Sequence, residues 1–277
     1  MRVGVVQLSS SDDPQRNTDI VRQELETLAQ SGAEFVATPE VSNCVSSSRT
    51  HQKAVLRHEE DDPFLKMCRY EAVRLGIWVS IGSIALKTSD PDERFANRSF
   101  LIDPSGAIVA WYDKIHMFDV EISTGETYME SAGYRPGNRA VTAEIDGVGI
   151  GLSICYDLRF PHLYERLAQS GAAIILIPSA FSTVTGTAHW HSLIRARAIE
   201  TGAFVIAAAQ TGQHVASRGK ARETYGHSLV VSPWGEVLLD AGNETGCHMV
   251  DLDLAKVEDA RRRIPSLKHH VPFEGPE

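Results

Sequence analysis

The feature that most constrains the fold is a pattern of helix, glycine and short apolar run, which occurs four times. Glycine suits the left-handed residue that closes a helix, and near-continuous apolar runs of strand length are typical of strands covered on both faces. The pattern therefore predicts an α/β fold with mixed sheets covered by helices. The predicted helices end at Ser31, Leu75, Ser170 and Thr201, each followed by glycine, and the apolar runs include 35–37, 77–81, 174–177 and 204–207.

Short sequence signals also mark where helices start and where hairpins turn. Asp13-Pro14 and Asp62-Pro63 each offer an N-cap acceptor followed by proline at the first helical position. Turn residues separate apolar runs in three places, which predicts three hairpins. The predicted strand pairs are 100–102 with 108–111, 141–145 with 148–154, and 229–231 with 237–239.

Composition limits the class of protein. The 277 residues are 43% hydrophobic with a net charge of −9, which excludes a disordered chain and argues against a nucleic-acid partner. No apolar stretch approaches the roughly 20 residues that cross a bilayer. The four cysteines are irregularly spaced, and no secretory leader is evident, so we expect a cytoplasmic protein without a disulfide framework.

The chain has no linker or low-complexity segment, so we predict one domain over residues 1–265. Residues 266–277 carry two prolines and paired histidines. We expect this segment to be a tail that packs on a partner subunit or stays loose.

Three reactive side chains follow predicted strands: Glu40, Lys114 and Cys155. Active sites of open α/β sheets gather beyond the strand ends, so these groups could meet at one sheet rim. A thiol needs a base, a buried glutamate can be that base, and an ammonium can hold charge on a carbonyl oxygen. Taken singly, a cysteine at a strand end is more often a small core residue, and a lone glutamate or lysine is more often a solvated loop charge.

Three segments carry a family resemblance. They are Thr-Pro-Glu at 38–40, Asp-Lys-Ile-His-Met-Phe-Asp at 113–119 and Ser-Ile-Cys-Tyr-Asp-Leu-Arg-Phe-Pro at 153–161. In this order they resemble the nitrilase, or carbon–nitrogen hydrolase, superfamily, whose signature is a Glu-Lys-Cys triad. The chain is most similar to the Nit branch, which includes ω-amidase and deaminated-glutathione amidase. Thr-Gly-Thr-Ala-His-Trp at 185–190 supports that branch.

The resemblance implies a four-layer αββα sandwich, commonly paired into a homodimer or higher oligomer. It assigns Glu40 as general base, Cys155 as nucleophile and Lys114 as the holder of the oxyanion, together with the backbone N–H of Tyr156. Glu130 matches a second family glutamate that orients the lysine and the substrate. Glu121 and Glu126 are nearby alternatives for that role.

Four residues are candidates for substrate binding: Tyr156, Arg159, Phe181 and Thr183. The planar guanidinium of Arg159 could pair with a substrate carboxylate. It could equally pair with Asp157 or with a helix end. Phe181 could instead be a core residue.

The sequence predicts neither metal nor cofactor. His189 and His191 invite a metal site, but residues two apart on a helix point away from each other and chelate poorly. His116 is expected to be a structural hydrogen-bond partner rather than a catalytic group.

The expected function is a cofactor-free amidase that splits a small carboxylate-bearing amide into acid and ammonia through a cysteine thioester. Deaminated glutathione and α-keto monoamides are the substrates that the resemblance implies. A nitrilase, an N-carbamoyl amide hydrolase and a non-catalytic binding protein on the same fold are the alternatives. Acyl transfer to another amine could accompany hydrolysis.

Overall fold

The computed structural model describes residues 1–89, 91–123, 126–269 and 271–276. Within these residues it contains six α-helices and two six-stranded mixed sheets, with two small two-stranded sheets beside them. The helices are α1 (Pro14–Gln30), α2 (Arg49–Val55), α3 (Pro63–Leu75), α4 (Pro161–Gln169), α5 (Thr183–Thr201) and α6 (Ala255–Arg263).

The first six-stranded sheet has the order β16-β1-β2-β3-β4-β5. Strands β1, β2 and β3 run parallel, whereas β4, β5 and β16 pair antiparallel with their neighbours. Its strands are β1 (Arg2–Gln7), β2 (Phe35–Ala37), β3 (Trp78–Leu86), β4 (Ala96–Ile102), β5 (Ile108–Asp113) and β16 (Gly246–Asp251).

The second sheet has the order β15-β14-β11-β10-β9-β8, and its central strands β9, β10 and β11 are parallel. Its strands are β8 (Val141–Ile145), β9 (Val148–Leu152), β10 (Ile174–Leu176), β11 (Phe204–Ala207), β14 (Leu229–Val231) and β15 (Val237–Asp240). The small sheets pair β6 (Asp119–Ser123) with β7 (Glu126–Met129), and β12 (Thr211–Gln213) with β13 (Glu223–Tyr225).

The elements form four layers. Helices α1 and α3 pack on the outer face of the first sheet, and α4 and α5 pack on the second. The two inner faces share one apolar core, because strand side chains alternate between faces. That core joins Val3, Phe35 and Tyr112 of the first sheet to Ile150, Ile174 and Val205 of the second. The predicted αββα sandwich is confirmed.

The predicted helix ends are confirmed. Gly76 and Gly202 close α3 and α5 in the left-handed conformation, with φ of 67° and 57°. Asp13 and Asp62 cap α1 and α3 by accepting hydrogen bonds from backbone N–H groups. The three predicted hairpins are also present, as β4–β5, β8–β9 and β14–β15.

A glycine lies inside the first turns of one helix. Helix α5 begins at Thr183, and Gly186 is its fourth residue. A Cβ at Gly186 would lie 2.3 Å from the ring of Tyr225. The glycine therefore leaves room for this ring to pack against the helix.

The described part of the chain contains no helix that is both long and apolar enough to span a membrane. Its four cysteines are free. Residues 271–276 are exposed and irregular, and the division into a domain and a tail at residue 265 remains a prediction.

Candidate active site

The three predicted reactive groups meet between the two sheets. Glu40 follows β2 and Lys114 follows β5 of the first sheet, whereas Cys155 follows β9 of the second. The prediction of a single sheet rim is therefore wrong. The groups approach because the sheets face each other with their strand ends at the same side of the sandwich.

A glycine makes this approach possible. Gly82 lies in β3, where the pairing with β4 is irregular. A Cβ at Gly82 would lie 1.9 Å from the carbonyl oxygen of Thr38 and 2.5 Å from Pro178, a residue of the opposite half. Only a residue without a side chain lets the backbone next to Glu40 come so close to the second sheet.

Glu40 is buried and held by several donors. Its Oε1 accepts hydrogen bonds from Asn97 Nδ2 and Lys114 Nζ, both at 2.9 Å. Its Oε2 accepts one from the backbone N–H of Ala180 at 2.8 Å. The thiol of Cys155 lines the same cavity and lies close enough to this carboxylate to perturb its pKa. The carboxylate is therefore fixed in place by three hydrogen-bond donors.

Lys114 lies between two carboxylates. Its Nζ is 2.9 Å from Glu40 Oε1 and 2.9 Å from both oxygens of Glu130. Glu130 is itself held by the backbone N–H of Phe118, which donates to Oε2 at 2.7 Å. The structure thus places Glu130 beside the lysine. Glu121 is exposed on β6, and the side chain of Glu126 lies outside the described part of the chain.

Cys155 begins a short 3₁₀-helix, Cys155–Arg159, and its φ of +49° is rare for a residue with a side chain. Its backbone N–H donates to the carbonyl of Pro178 at 2.9 Å, which ties the turn to the next strand end. The N–H of Tyr156 lies in the first turn of that helix, where backbone donors have no intrahelical acceptor. The nucleophile candidate is therefore held on a sharp, strained turn.

Asp157 holds this turn from behind and is completely buried. Its Oδ2 accepts from the hydroxyl of Tyr112 at 2.6 Å and from the N–H of Ile154 at 2.9 Å. Its Oδ1 lies 2.6 Å from Nδ1 of His116 and also accepts from that residue's N–H. His116 stacks on Phe160 with ring centroids 3.5 Å apart. The structural role predicted for His116 is confirmed by these contacts.

The electrostatics keep Glu40 charged and Cys155 neutral. Burial alone would raise the pKa of Glu40, but Lys114, Arg222 and the hydrogen bonds lower it below its usual value. Burial and the neighbouring Glu40 carboxylate raise the pKa of the Cys155 thiol well above its ordinary range. Although burial opposes it, the pKa of Lys114 is raised by Glu130 and Glu40. The resting site is thus a thiol, a carboxylate base and an ammonium.

These groups open into a cavity of about 490 Å³. Tyr156 and Phe181 line it, as the sequence predicts. Arg159 and Thr183 are not part of its lining. The guanidinium of Arg159 lies over the rings of Tyr156 and Phe181, 5.9 and 5.5 Å from their centroids, and is 3.3 Å from Nδ1 of His189. Thr183 opens α5, and its neighbours Ser182 and Thr185 line the cavity instead.

Sequence reasoning missed two side chains of the site. Asn97 is buried near the start of β4 and binds Glu40, yet it stands in the polar run Asn-Arg-Ser at 97–99, which carries no motif. Arg222 lines the cavity and donates to the carbonyl of Ala180 at 2.6 Å. It lies in the connection between β12 and β13, where the sequence carries no motif.

A model of the carbon–nitrogen hydrolase family matches residues 2–262 of the chain. The chain belongs to this family. A deaminated glutathione amidase from Yersinia enterocolitica is 35% identical over 97% of this chain and 92% of its own length. Another, from Dictyostelium discoideum, is 38% identical over 97% of this chain and 93% of its own length.

Among solved structures, the NitFhit protein of Caenorhabditis elegans superimposes with a TM-score of 0.87 at 34% identity. The similarity covers 97% of this chain and 64% of the longer NitFhit chain. The resemblance to the carbon–nitrogen hydrolase superfamily is therefore confirmed over nearly the whole chain. The family and these relatives place the chain among hydrolases of amide carbon–nitrogen bonds, as the sequence predicts.

Proposed function

We propose that this carbon–nitrogen hydrolase splits a small anionic amide, of the deaminated glutathione or α-keto monoamide type, through a thioester on Cys155. The observation that carries the proposal is that Cys155 lines one cavity with a buried carboxylate, Glu40, which shares the ammonium of Lys114 with Glu130. A base, a nucleophile and a fixed cation in one cavity are the parts that acyl transfer requires. The names of two relatives support the substrate class.

In the first half of the reaction, Glu40 takes the thiol proton as Cys155 Sγ attacks the amide carbon. Charge then develops on the former carbonyl oxygen, where the ammonium of Lys114 and the N–H of Tyr156 stabilise it. Because the pKa of the free thiol is raised, proton transfer accompanies attack rather than preceding it. Glu40 next gives the proton to the leaving amine, the C–N bond breaks, and a thioester remains.

In the second half, water replaces the amine. Glu40 takes a proton from the water, whose oxygen attacks the thioester carbon, and the oxyanion is held as before. Collapse breaks the C–S bond, and the proton on Glu40 returns to the thiolate. Glu130 is a positioning residue in this scheme, because its two contacts with Lys114 at 2.9 Å fix the ammonium against Glu40.

The charge of the cavity supports an anionic substrate. Two carboxylates, Glu40 and Glu130, face three cations, Lys114, Arg222 and Arg49, all of which line it. This excess of one positive charge occurs in a protein whose net charge is −9. Arg49 lies near the rings of Phe95 and Tyr134. A volume of about 490 Å³ accommodates a molecule the size of a short peptide.

The test is turnover of an amide panel by the purified protein. In deaminated glutathione the γ-amide nitrogen belongs to cysteinylglycine, so the released acid, 2-oxoglutarate, must be followed rather than ammonia. The panel contains deaminated glutathione, α-ketoglutaramate, glutamine, an aliphatic amide, a nitrile and an N-carbamoyl amino acid. We expect turnover of one of the first two and a loss of at least about 1,000-fold in Cys155→Ala.

Cys247→Ala is the matched control, since Cys247 lies on β16 and does not line the cavity. If only the nitrile or only the N-carbamoyl compound is turned over, the same site belongs to a nitrilase or to an N-carbamoyl amide hydrolase and the proposed amide substrate is wrong. No turnover of any compound, with Cys155 unreactive toward iodoacetamide, would favour a non-catalytic binding protein. Added hydroxylamine reports acyl transfer, because the hydroxamate forms at the expense of the acid.

We further propose that the protein is cytoplasmic and forms a homodimer or larger homo-oligomer. The free state of all four cysteines supports a reducing compartment. Large apolar side chains exposed at 264, 271 and 273, next to the predicted tail, support self-association. Light scattering of the full chain beside a variant truncated after residue 265 tests both the oligomer and the tail.

A further inference from the structure

Two histidines and an aspartate, residue types that can ligate a metal ion, lie together outside the cavity. His191 projects from α5, His227 lies between β13 and β14, and Asp240 ends β15. His191 Nε2 is 2.9 Å from Asp240 Oδ2, and His227 Nδ1 is 2.8 Å from Asp240 Oδ1. One ligand atom from each residue lies within 4.8 Å of the other two. None of the three residues lines the amidase cavity.

His189 and His191 lie two residues apart on α5, and their side chains diverge as the sequence predicts. His189 lies beside Arg159, whereas His191 lies beside Asp240. The partners of His191 come from segments 36 and 49 residues further along the chain, at His227 and Asp240. Only the folded chain brings these three residues together, and no motif of fixed spacing in the sequence predicts them.

The three side chains are held in place before any ion arrives. His227 has a φ of +54°, a strained value for histidine, and Trp190 Nε1 donates to its carbonyl at 2.8 Å. Its ring stacks on Tyr225 with centroids 4.5 Å apart. Asp240 Oδ1 also accepts from the N–H of Gly242 at 3.0 Å. Such outer contacts orient metal ligands in known sites.

We propose that His191, His227 and Asp240 form a binding site for a borderline divalent cation, Zn²⁺ by preference. Two imidazoles and one carboxylate suit Zn²⁺, whereas Ca²⁺ and Mg²⁺ require oxygen ligands. Zinc–ligand bonds of about 2.0–2.2 Å set ligand atoms roughly 3.4 Å apart in a tetrahedron. The two contacts of Asp240, at 2.9 and 2.8 Å, and the limit of 4.8 Å on all three pairs bracket that spacing. The side chains are 22–37% exposed, which leaves the fourth position to water.

The position of the site indicates what the ion does. Tyr225 ends β13, and its ring lies against Gly186 of α5. The same β12–β13 hairpin carries Arg222 into the cavity. An ion held by α5 and by the segment that follows the hairpin therefore braces the cavity wall without touching the reacting groups. We expect it to raise the melting temperature and to be dispensable for the chemical step.

The experiment measures Zn²⁺ binding to the full-length protein, stripped with chelator, by competition with a chromogenic chelator. A Cys155→Ala background removes zinc binding by the cavity thiol. We compare His191→Gln and Asp240→Asn with His58→Gln, an exposed histidine elsewhere on the surface. We expect one equivalent of Zn²⁺ in the background and in His58→Gln, and affinity at least about 10-fold weaker in the other two variants.

Melting curves and cobalt spectra provide a second readout. In the presence of EDTA, all variants should melt within a few degrees of the background, which shows that they fold. Zn²⁺ should raise the melting temperature only in the background and in His58→Gln. Substituted Co²⁺ should give visible absorption in the same two proteins. Equal zinc affinity in all four proteins, or no stoichiometric binding in any, would overturn the proposal, whatever amide the cavity hydrolyses.

Discussion

The floor and the wall of the cavity are built in different ways. The floor consists of Glu40, Lys114, Glu130 and Cys155, and all but Glu130 lie within three residues of the end of a strand of one of the two six-stranded sheets. The wall includes parts of residues 41–52 and the β12–β13 hairpin, which lie in loops, a short helix and a small two-stranded sheet. Rigid strand ends fix the reacting groups, while loops can vary in length and composition without moving them. We therefore assign the chemistry to the floor and the choice of substrate to the wall.

The largest effect should come from the floor. Glu40→Gln keeps the shape of the side chain but removes the base and one of the two charges that hold Lys114. We expect the kcat to fall by about 1,000-fold or more. Because the pKa of Glu40 is lowered from 4.5, the carboxylate persists as the pH falls through that value. The acid limb of kcat/KM in the wild type should therefore lie below pH 4.5.

An acid limb near pH 6 would contradict this assignment, because it would require a base with a raised pKa. The thermal unfolding of Glu40→Gln is the control for folding. If Glu40→Gln retains most of the wild-type kcat, a group other than Glu40 is the general base.

A smaller effect should follow from Glu130→Gln. The amide can still accept one hydrogen bond from Lys114, but it loses the charge and the symmetrical contact at 2.9 Å. A small displacement of the ammonium should lower the kcat by up to about 100-fold, with little change in KM. The matched control is Glu121→Gln on the exposed face of β6, which should behave as the wild type. A change confined to KM would make Glu130 part of the wall rather than of the floor.

The smallest effect should come from the wall. Arg222→Met removes a cation that lines the cavity while keeping an unbranched side chain. We expect the KM for an anionic amide to rise by about 10-fold, with kcat within a few-fold of the wild type. The KM for a neutral amide should change little. Arg218→Met, an exposed arginine of the same segment, is the control. Equal changes in KM for the anionic and the neutral amide would show that Arg222 does not recognise a negative charge on the substrate.

The floor was accessible to prediction because short motifs and strand ends carry it. Glu40 follows Thr-Pro, Lys114 follows an apolar strand, and Cys155 precedes Tyr-Asp-Leu-Arg. Asp157, two residues after Cys155, was not accessible in the same way. It fixes the turn through hydrogen bonds with Tyr112 and His116, and no spacing rule predicts those contacts. Arg222 was equally inaccessible, because only the folded hairpin carries it to Ala180.

The sequence by itself determined most of the helices and strands of this protein, since helix caps, glycines after helices and apolar strand runs are local properties of the chain. It also determined which residues could do chemistry. The tertiary structure alone decided that Glu40 and Cys155 meet across two sheets through the bare backbone of Gly82. It likewise decided that His191 meets His227 and Asp240 rather than a neighbour on its helix. Local pattern fixes which element a residue belongs to, but contact between distant elements depends on how their surfaces pack.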